Sequence, residues 1–395
     1  GGGGGSDLSR PSSAPATVPT PPPTPSTPTY TIGGTVSGLT TGQTVALQNN
    51  GGGTLTVSAN GAFTFTTAQQ SNTAYTVSVS SEPTVRTTCT VSNGSGTVGT
   101  SNVSNVGVSC VSQHFAYVSS YTTSVVSLCS VNATTGALSG CIDSGAGATF
   151  SGPESITLSA SGSYAYVANY NNATVSQCSV NATTGLFSGC VTPTTWSSLF
   201  SDPVEVTLSA NGSYAYVTNN GAASTVSLCS VDAATGALTN CADSGAGPVF
   251  TNPVGMALSA NGSYAYVAGK GSGLVWQCSV NATNGTLSGC TSTAVGGAPT
   301  GLVLSANGSY AYVADNANNK ILQCSVNATT GALSGCMDSG AGAAFSGPEG
   351  VALSADGSYA YVANFLIDTV SQCSVNAATG ALSGCTDSGA GPVFT

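Results

Sequence analysis

Charge is what this sequence has least of. Lys and Arg number 4, Asp and Glu 14 and His 1 in 395 residues, so charged side chains make up 5% and the formal net charge is −10. So little positive charge excludes a nucleic-acid surface, which needs Lys and Arg to displace counterions from phosphates, and it disfavours anionic lipid. The strong helix formers with charged outer faces are almost missing as well. Their place is taken by β-branched residues, Ser, Asn and 52 Gly, a composition of short strands and tight turns, so the chain is expected to be almost all β. No apolar run reaches the roughly 18 residues of a membrane-spanning helix, because Ser, Thr, Asn or Gly interrupts every strand-sized stretch. Serine is plentiful, but His114 is the only imidazole available to activate one.

Cysteine, by contrast, is abundant and regular. Cys89 and Cys110 come first; the other twelve form six pairs spaced 12 apart, Cys129/Cys141, Cys178/Cys190, Cys229/Cys241, Cys278/Cys290, Cys324/Cys336 and Cys373/Cys385. Zinc ligand pairs usually sit two to four residues apart and recruit His. An even, widely spaced framework reads instead as disulfides made in an oxidising space, which implies secretion or surface display.

Three segments are expected. Residues 1–29 open with G-G-G-G-G-S and continue through T-V-P-T-P-P-P-T-P-S-T-P-T, a flexible spacer with polyproline character. Its glycine run resembles the segment after the lipidated Cys of bacterial surface lipoproteins, which implies a lipid anchor before Gly1 and an extracellular, cell-surface or outer-membrane location. Residues 30–112 carry seven short alternating segments bounded by Gly, Asn or Pro, the pattern of a small β-sandwich in which Cys89 and Cys110 join two strands. That stretch resembles the immunoglobulin-like modules that serve as spacers in bacterial surface proteins.

Residues 113–395 are a repeat array. S-Y-A-Y-V-A-N or a close variant recurs at Tyr164, Tyr214, Tyr264, Tyr310 and Tyr359, with a degenerate copy at His114, and C-S-V-[ND]-A-x-x-G-x-[LF]-[ST]-x-C recurs six times. Successive first cysteines lie 49, 51, 49, 46 and 49 residues apart. A period of that size with four strand-like runs predicts one propeller blade per repeat, with the two cysteines of each pair standing opposite each other across the outer hairpin at the blade's edge. These two motifs resemble the YVTN and lactonase-type β-propeller repeats. Six repeats are visible, implying six or seven blades when complete. The first copy starts at its second strand, and the D-S-G-A-G-P-V-F-T at the end matches the lead-in to a further inner strand, so the ring is expected to close through residues beyond Thr395.

Candidate site residues are few. Glu154, Glu205 and Glu349 follow the prolines that lead into the inner strands, where carboxylates from different blades could share one channel mouth and hold calcium by oxygen ligation, against a bland reading as a solvated rim. Lys270 and Lys320 fall in loops between second and third strands and are expected to be solvated. Asp143, Asp243, Asp338 and Asp387 recur in D-S-G or a close variant and read as turn formers. Trp196 breaks the repeat where Ala146 stands in an earlier copy and is a candidate sugar or peptide contact; Trp276 and Phe150, Phe200, Phe250 and Phe345 read as core. With no general base and partner evident, the expected function is a non-catalytic binding or scaffold module for a protein or carbohydrate ligand. A lactonase-like hydrolase and a structural envelope protein are the alternatives.

Overall fold

The computed structural model describes Gly3 and residues 27–83, 87–145, 147, 150–247, 249–340, 342 and 345–388. Most of the expected spacer and the final lead-in lie outside these residues, as does Ala146. Thr29 already pairs with Gln70 in a two-stranded ribbon. Among the described residues the elements are strands and two 3-10 turns, Tyr170–Asn172 and Asn316–Asn318, and no helix is long and apolar enough to cross a membrane.

Two compact units divide the chain, one running to Pro83 and resuming over Cys89–Cys110, the other holding Val111 onward. The first contains two four-stranded sheets. Gly61–Thr64, Ile32–Ser37, Val103–Ser112 and Thr87–Ser92 are adjacent in one; Gly52–Val57, Val45–Asn49, Ala74–Ser81 and Ser95–Thr97 in the other. Alternation puts Ile32, Val45, Leu47, Phe63, Val77 and Val106 into one shared apolar core. The Cys89–Cys110 disulfide ties the strands Thr87–Ser92 and Val103–Ser112, as expected.

The second unit is six sheets in sequence order. Each of the last five has four antiparallel strands, while the first has three and begins at His114–Ser120, the strand that is second in the others. In the second blade the order from inside outward is Pro153–Leu158, Tyr164–Asn169, Thr174–Val180 and Phe187–Val191. The Y-A-Y motif explains the ring. Its second tyrosine is buried and donates its hydroxyl to the glycine carbonyl of the next blade's N-A-T-T-G loop or its variant: Tyr166 to Gly236 at 2.6 Å, Tyr216 to Gly285 at 2.7 Å, Tyr266 to Gly331 at 2.6 Å and Tyr312 to Gly380 at 2.7 Å. The first tyrosine hooks the same loop two residues earlier, as Tyr214 does on Thr283 at 2.7 Å. Gly236 shows why the loop needs glycine: its φ is +70°, and a Cβ there would strike the Tyr164 ring.

The same hook closes the circle. Tyr361 of the sixth blade donates to Gly136 of the first at 2.8 Å, and Tyr359 donates to Thr134. Among the described residues six sheets therefore abut in a ring, the first of them with three strands. Phe150, Phe200, Phe250, Phe345 and Trp276 are all buried, and Trp276 meets Phe250 edge-on at 5.6 Å.

The six pairs spaced 12 apart are disulfides between the third and fourth strands of each blade, as the repeat spacing predicts: Cys129–Cys141, Cys178–Cys190, Cys229–Cys241, Cys278–Cys290, Cys324–Cys336 and Cys373–Cys385. Two details of the expected clip are corrected. The bridged residues do not face each other in a regular ladder, because each clip sits at a bulge. Leu128 pairs with Ile142 and Ser130 with Ser139, so Gly140 and Cys141 together oppose Cys129. The residue before the second cysteine therefore takes a positive φ, +59° at Gly140 and +49° at Asn240, the one blade without glycine there. Nor do the clips lie wholly at the rim. Cys129, Cys178, Cys229, Cys278, Cys324 and Cys373 are fully buried between blades, and only their partners Cys141, Cys190, Cys241, Cys290, Cys336 and Cys385 on the fourth strands are partly exposed.

Candidate functional site

The inner strands open with proline, and the residue after it does not join the ladder. In the second blade Pro153 pairs with Asn169 and Ser155 with Ala168; in the sixth Pro348 pairs with Asn364 and Gly350 with Ala363. Glu154 and Glu349 are the bulged residues, and a bulge re-aims a side chain out of the pleat. In the third blade the bulged residue is Val204, while Glu205 pairs in register with Thr218. That one-residue offset separates the three carboxylates predicted from sequence. The Glu349 charge acts on Glu154, whereas the Glu205 carboxyl is shifted by burial alone.

The loop between second and third strands supplies the partners. In each of blades two to six the first residue of this loop donates its backbone N–H to a carbonyl just before the leading proline. Tyr170 bonds to Gly152, Lys270 to Asn252, Asn316 to Ala298 and Phe365 to Gly347. This bond sets the loop's first side chain beside the bulge. From these positions Lys270 Nζ reaches Glu349 Oε1 at 2.8 Å, and Asn316 Nδ2 donates to the same oxygen at 2.9 Å. Lys270 keeps 41% of its side chain exposed, in line with the solvated state expected of it, yet it is paired and spans from the fourth blade to the sixth. Lys320 keeps an exposed position, 3.7 Å from Asp338.

Enclosure by protein defines Glu154. Its side chain is open to solvent, yet protein on most sides penalises its charged form. Burial, reinforced by the Glu349 charge and eased by Lys270, raises its pKa to about 7. Burial also lifts the Tyr170 hydroxyl above the ordinary phenol value, with Glu154 among the charges acting on it. Glu205 is raised to about 8 by burial. The mouth therefore offers a carboxyl that changes charge near neutrality, a second carboxylate tied to an ammonium, and amide and phenol donors. That set can move a proton and stabilise an oxyanion.

The remaining candidates lie elsewhere. Trp196 is half-buried and packs on the core cluster containing Phe200 and Tyr166. His114 opens its strand at the end opposite the mouth. Asp143, Asp243 and Asp338 accept backbone N–H groups two residues on, as turn formers do. Among the described residues, no group of three or more His, Cys, Asp or Glu is arranged to hold a metal ion. From sequence, Lys270 was expected to be solvated and Asn316 was not singled out, yet both donate to Glu349 here. The signal was their shared place immediately after the second strand, one residue beyond the Y-A-Y-V-A-N core.

The sequence family described as Lactonase, 7-bladed beta-propeller matches residues 111–304, 201–339 and 302–392. No curated protein matches the chain. Among solved structures, the periplasmic gluconolactonase PpgL of Pseudomonas aeruginosa is 20% identical with a TM-score of 0.48, over 66% of this chain and 76% of that one. A putative 6-phosphogluconolactonase from Bacteroides uniformis is 16% identical with a TM-score of 0.48, over 87% and 95%. The nidogen/laminin complex, at 12% identity and a TM-score of 0.50 over 66% and 89%, is similar in fold alone. The family description counts seven blades; the described residues of the second unit form six sheets.

Proposed function

The chain belongs to the lactonase family of β-propellers, and from that premise we propose that it hydrolyses a lactone at the mouth formed by Glu154, Glu349 and Lys270. Family membership favours this reading over the non-catalytic binding module expected from sequence. The observation that carries it is Glu154, the residue bulged out of its ladder, whose carboxyl is raised to about 7 and is acted on by the charges of Glu349 and Lys270. Its carboxylate takes a proton from water as the oxygen attacks the lactone carbonyl. The tetrahedral oxyanion forms near the Lys270 ammonium, which Glu349 holds in place while Asn316 donates to the same Glu349 oxygen. The ring C–O bond then breaks, the alkoxide leaving group recovers the proton from Glu154, and the hydroxy acid departs.

Seven disulfides suit an oxidising compartment, so the reading puts this reaction outside the cytosol, with the N-terminal unit as an immunoglobulin-like spacer. The test is proton release from glucono-δ-lactone followed in a pH-stat. Because the base must be ionised, kcat/KM is expected to rise with pH and level off above about 7. Glu154→Gln should lower kcat by about 100-fold or more and remove that limb, as expected for loss of a general base. Turnover that survives both Glu154→Gln and Lys270→Met, or no turnover of any lactone by the native chain, overturns the proposal.

A further inference from the structure

Three large apolar side chains stand uncovered in succession on the sixth blade: Phe365 is 58% exposed, Leu366 66% and Ile367 52%. Elsewhere among the described residues the exposed large apolar side chains stand singly along the chain, so three in succession are exceptional. Its place is fixed by the register already described. Phe365 occupies the same loop position as Lys270 and Asn316, and its N–H bonds to the Gly347 carbonyl, two residues before Glu349. Leu366 lies directly over Gly347, where a Cβ would meet its side chain. The apolar triplet thus borders the carboxylate that anchors Lys270.

A second apolar element borders the other carboxylate. Tyr170 holds the same loop position in the second blade, beside Glu154, and Tyr121 of the first blade packs on it edge-on with ring centres 6.0 Å apart. Tyr121 donates its hydroxyl to Asn171 at 2.8 Å, and its ring lies over Gly152, two residues before Glu154. Blades six, one and two are consecutive around the ring. An apolar and aromatic arc therefore runs along one side of the mouth, while Lys270 and Asn316 occupy the other.

Charge narrows what this arc accepts. The mouth brings two carboxyls and one ammonium together in a molecule of net charge −10. A phosphorylated lactone would bring two further negative charges to a site whose single cation is already paired. Resting on the hydrolase reading above, we propose that the substrate is an uncharged lactone carrying an alkyl or acyl substituent, whose ring meets Glu154 and Lys270 while its chain lies on Phe365, Leu366 and Ile367. The arc is a specificity surface, and it takes no part in the bond changes.

Two lactones that share a six-membered ring and differ by a pentyl chain, δ-valerolactone and δ-decalactone, test this. Partial burial of five methylenes is expected to give δ-decalactone a kcat/KM at least about tenfold higher. In the triple variant Phe365→Ser, Leu366→Ser, Ile367→Ser the two values should approach parity. All three side chains are exposed, so the variant's melting temperature should stay close to that of the native chain, which checks its folding. Equal rates on the two lactones, or a preference that the variant retains, overturns the subsite and leaves the hydrolase intact. Turnover of glucono-δ-lactone but of neither of these overturns the subsite and leaves the hydrolase intact; if none of the three is turned over, the hydrolase reading falls, and binding of the non-hydrolysable δ-decanolactam by calorimetry decides the subsite: binding that the variant loses supports it, and absence of binding overturns it.

Discussion

Glu205 differs from Glu154 and Glu349 by one position along its strand, and that step takes it from the bulge into the ladder. Its carboxyl is lifted to about 8 by burial, so the folded chain holds a proton there that the unfolded chain releases near the ordinary carboxyl value. Between those two values the folded state binds more protons, and stability falls as pH rises, by up to about 1.4 kcal/mol per pH unit. Glu205→Gln should flatten that slope between pH 5 and 8 and raise the melting temperature at pH 8 and above. A variant with an unchanged pH slope would show that Glu205 ionises freely in the fold. The sequence marked Glu154, Glu205 and Glu349 alike because each follows proline closely. It did not show which of them the bulge would turn outward, since the bulge arises from pairing with the neighbouring strand.

Each outer hairpin joins its blade by backbone bonds on one side only and is closed by a disulfide whose third-strand sulfur is fully buried, as for Cys178. Closing a loop of about a dozen residues stabilises by roughly 3 kcal/mol through the unfolded chain. Replacing Cys178 and Cys190 together by Ala is expected to cost about 2–4 kcal/mol and to lower the chemical-denaturation midpoint without changing the other six bridges in a non-reducing peptide map. A cost below about 1 kcal/mol would mean that the Tyr117 and Phe187 rings, stacked at 4.9 Å, hold the hairpin unaided. These clips were legible from the spacing of 12, because position across a hairpin is a local property. The burial of their third-strand halves was not, since the covering atoms come from the adjoining blade. The tyrosine hooks were hidden in the same way. Y-A-Y and N-A-T-T-G were visible as repeats, but their contact joins different copies, 65 to 70 residues apart in blades two to five. For the same reason Lys270 looked solvated: its partner Glu349 is 79 residues away.

A ring held by repeated hooks is as secure as its least covered joint, and the first blade supplies that joint. Among the described residues no innermost strand pairs with its strand His114–Ser120, and Ala116, Tyr117 and Val118 are half-exposed, where Ala165, Tyr166 and Val167 in the second blade are fully buried. The neighbouring sixth blade shares the loss, since Tyr361 and Ala363 are half-exposed while their fifth-blade equivalents Tyr312 and Ala314 are fully buried. Local opening follows low coverage, so the seam between these blades should open before any other. Native-state hydrogen exchange is expected to show the amides of His114–Ser120 and Tyr359–Asn364 exchanging at least about tenfold faster than those of Tyr214–Asn219 and Tyr264–Gly269, a gap of about 1.4 kcal/mol in opening free energy. Equal protection at all six junctions would mean that the Tyr361 to Gly136 hook and the Val370 packing on Cys129 and Leu138 compensate for the missing strand. The arc of Tyr121, Tyr170 and Phe365 borders this same seam. Occupancy of the arc by a lactone with an alkyl chain should therefore slow exchange in His114–Ser120 selectively, coupling the specificity surface to the joint that most needs support.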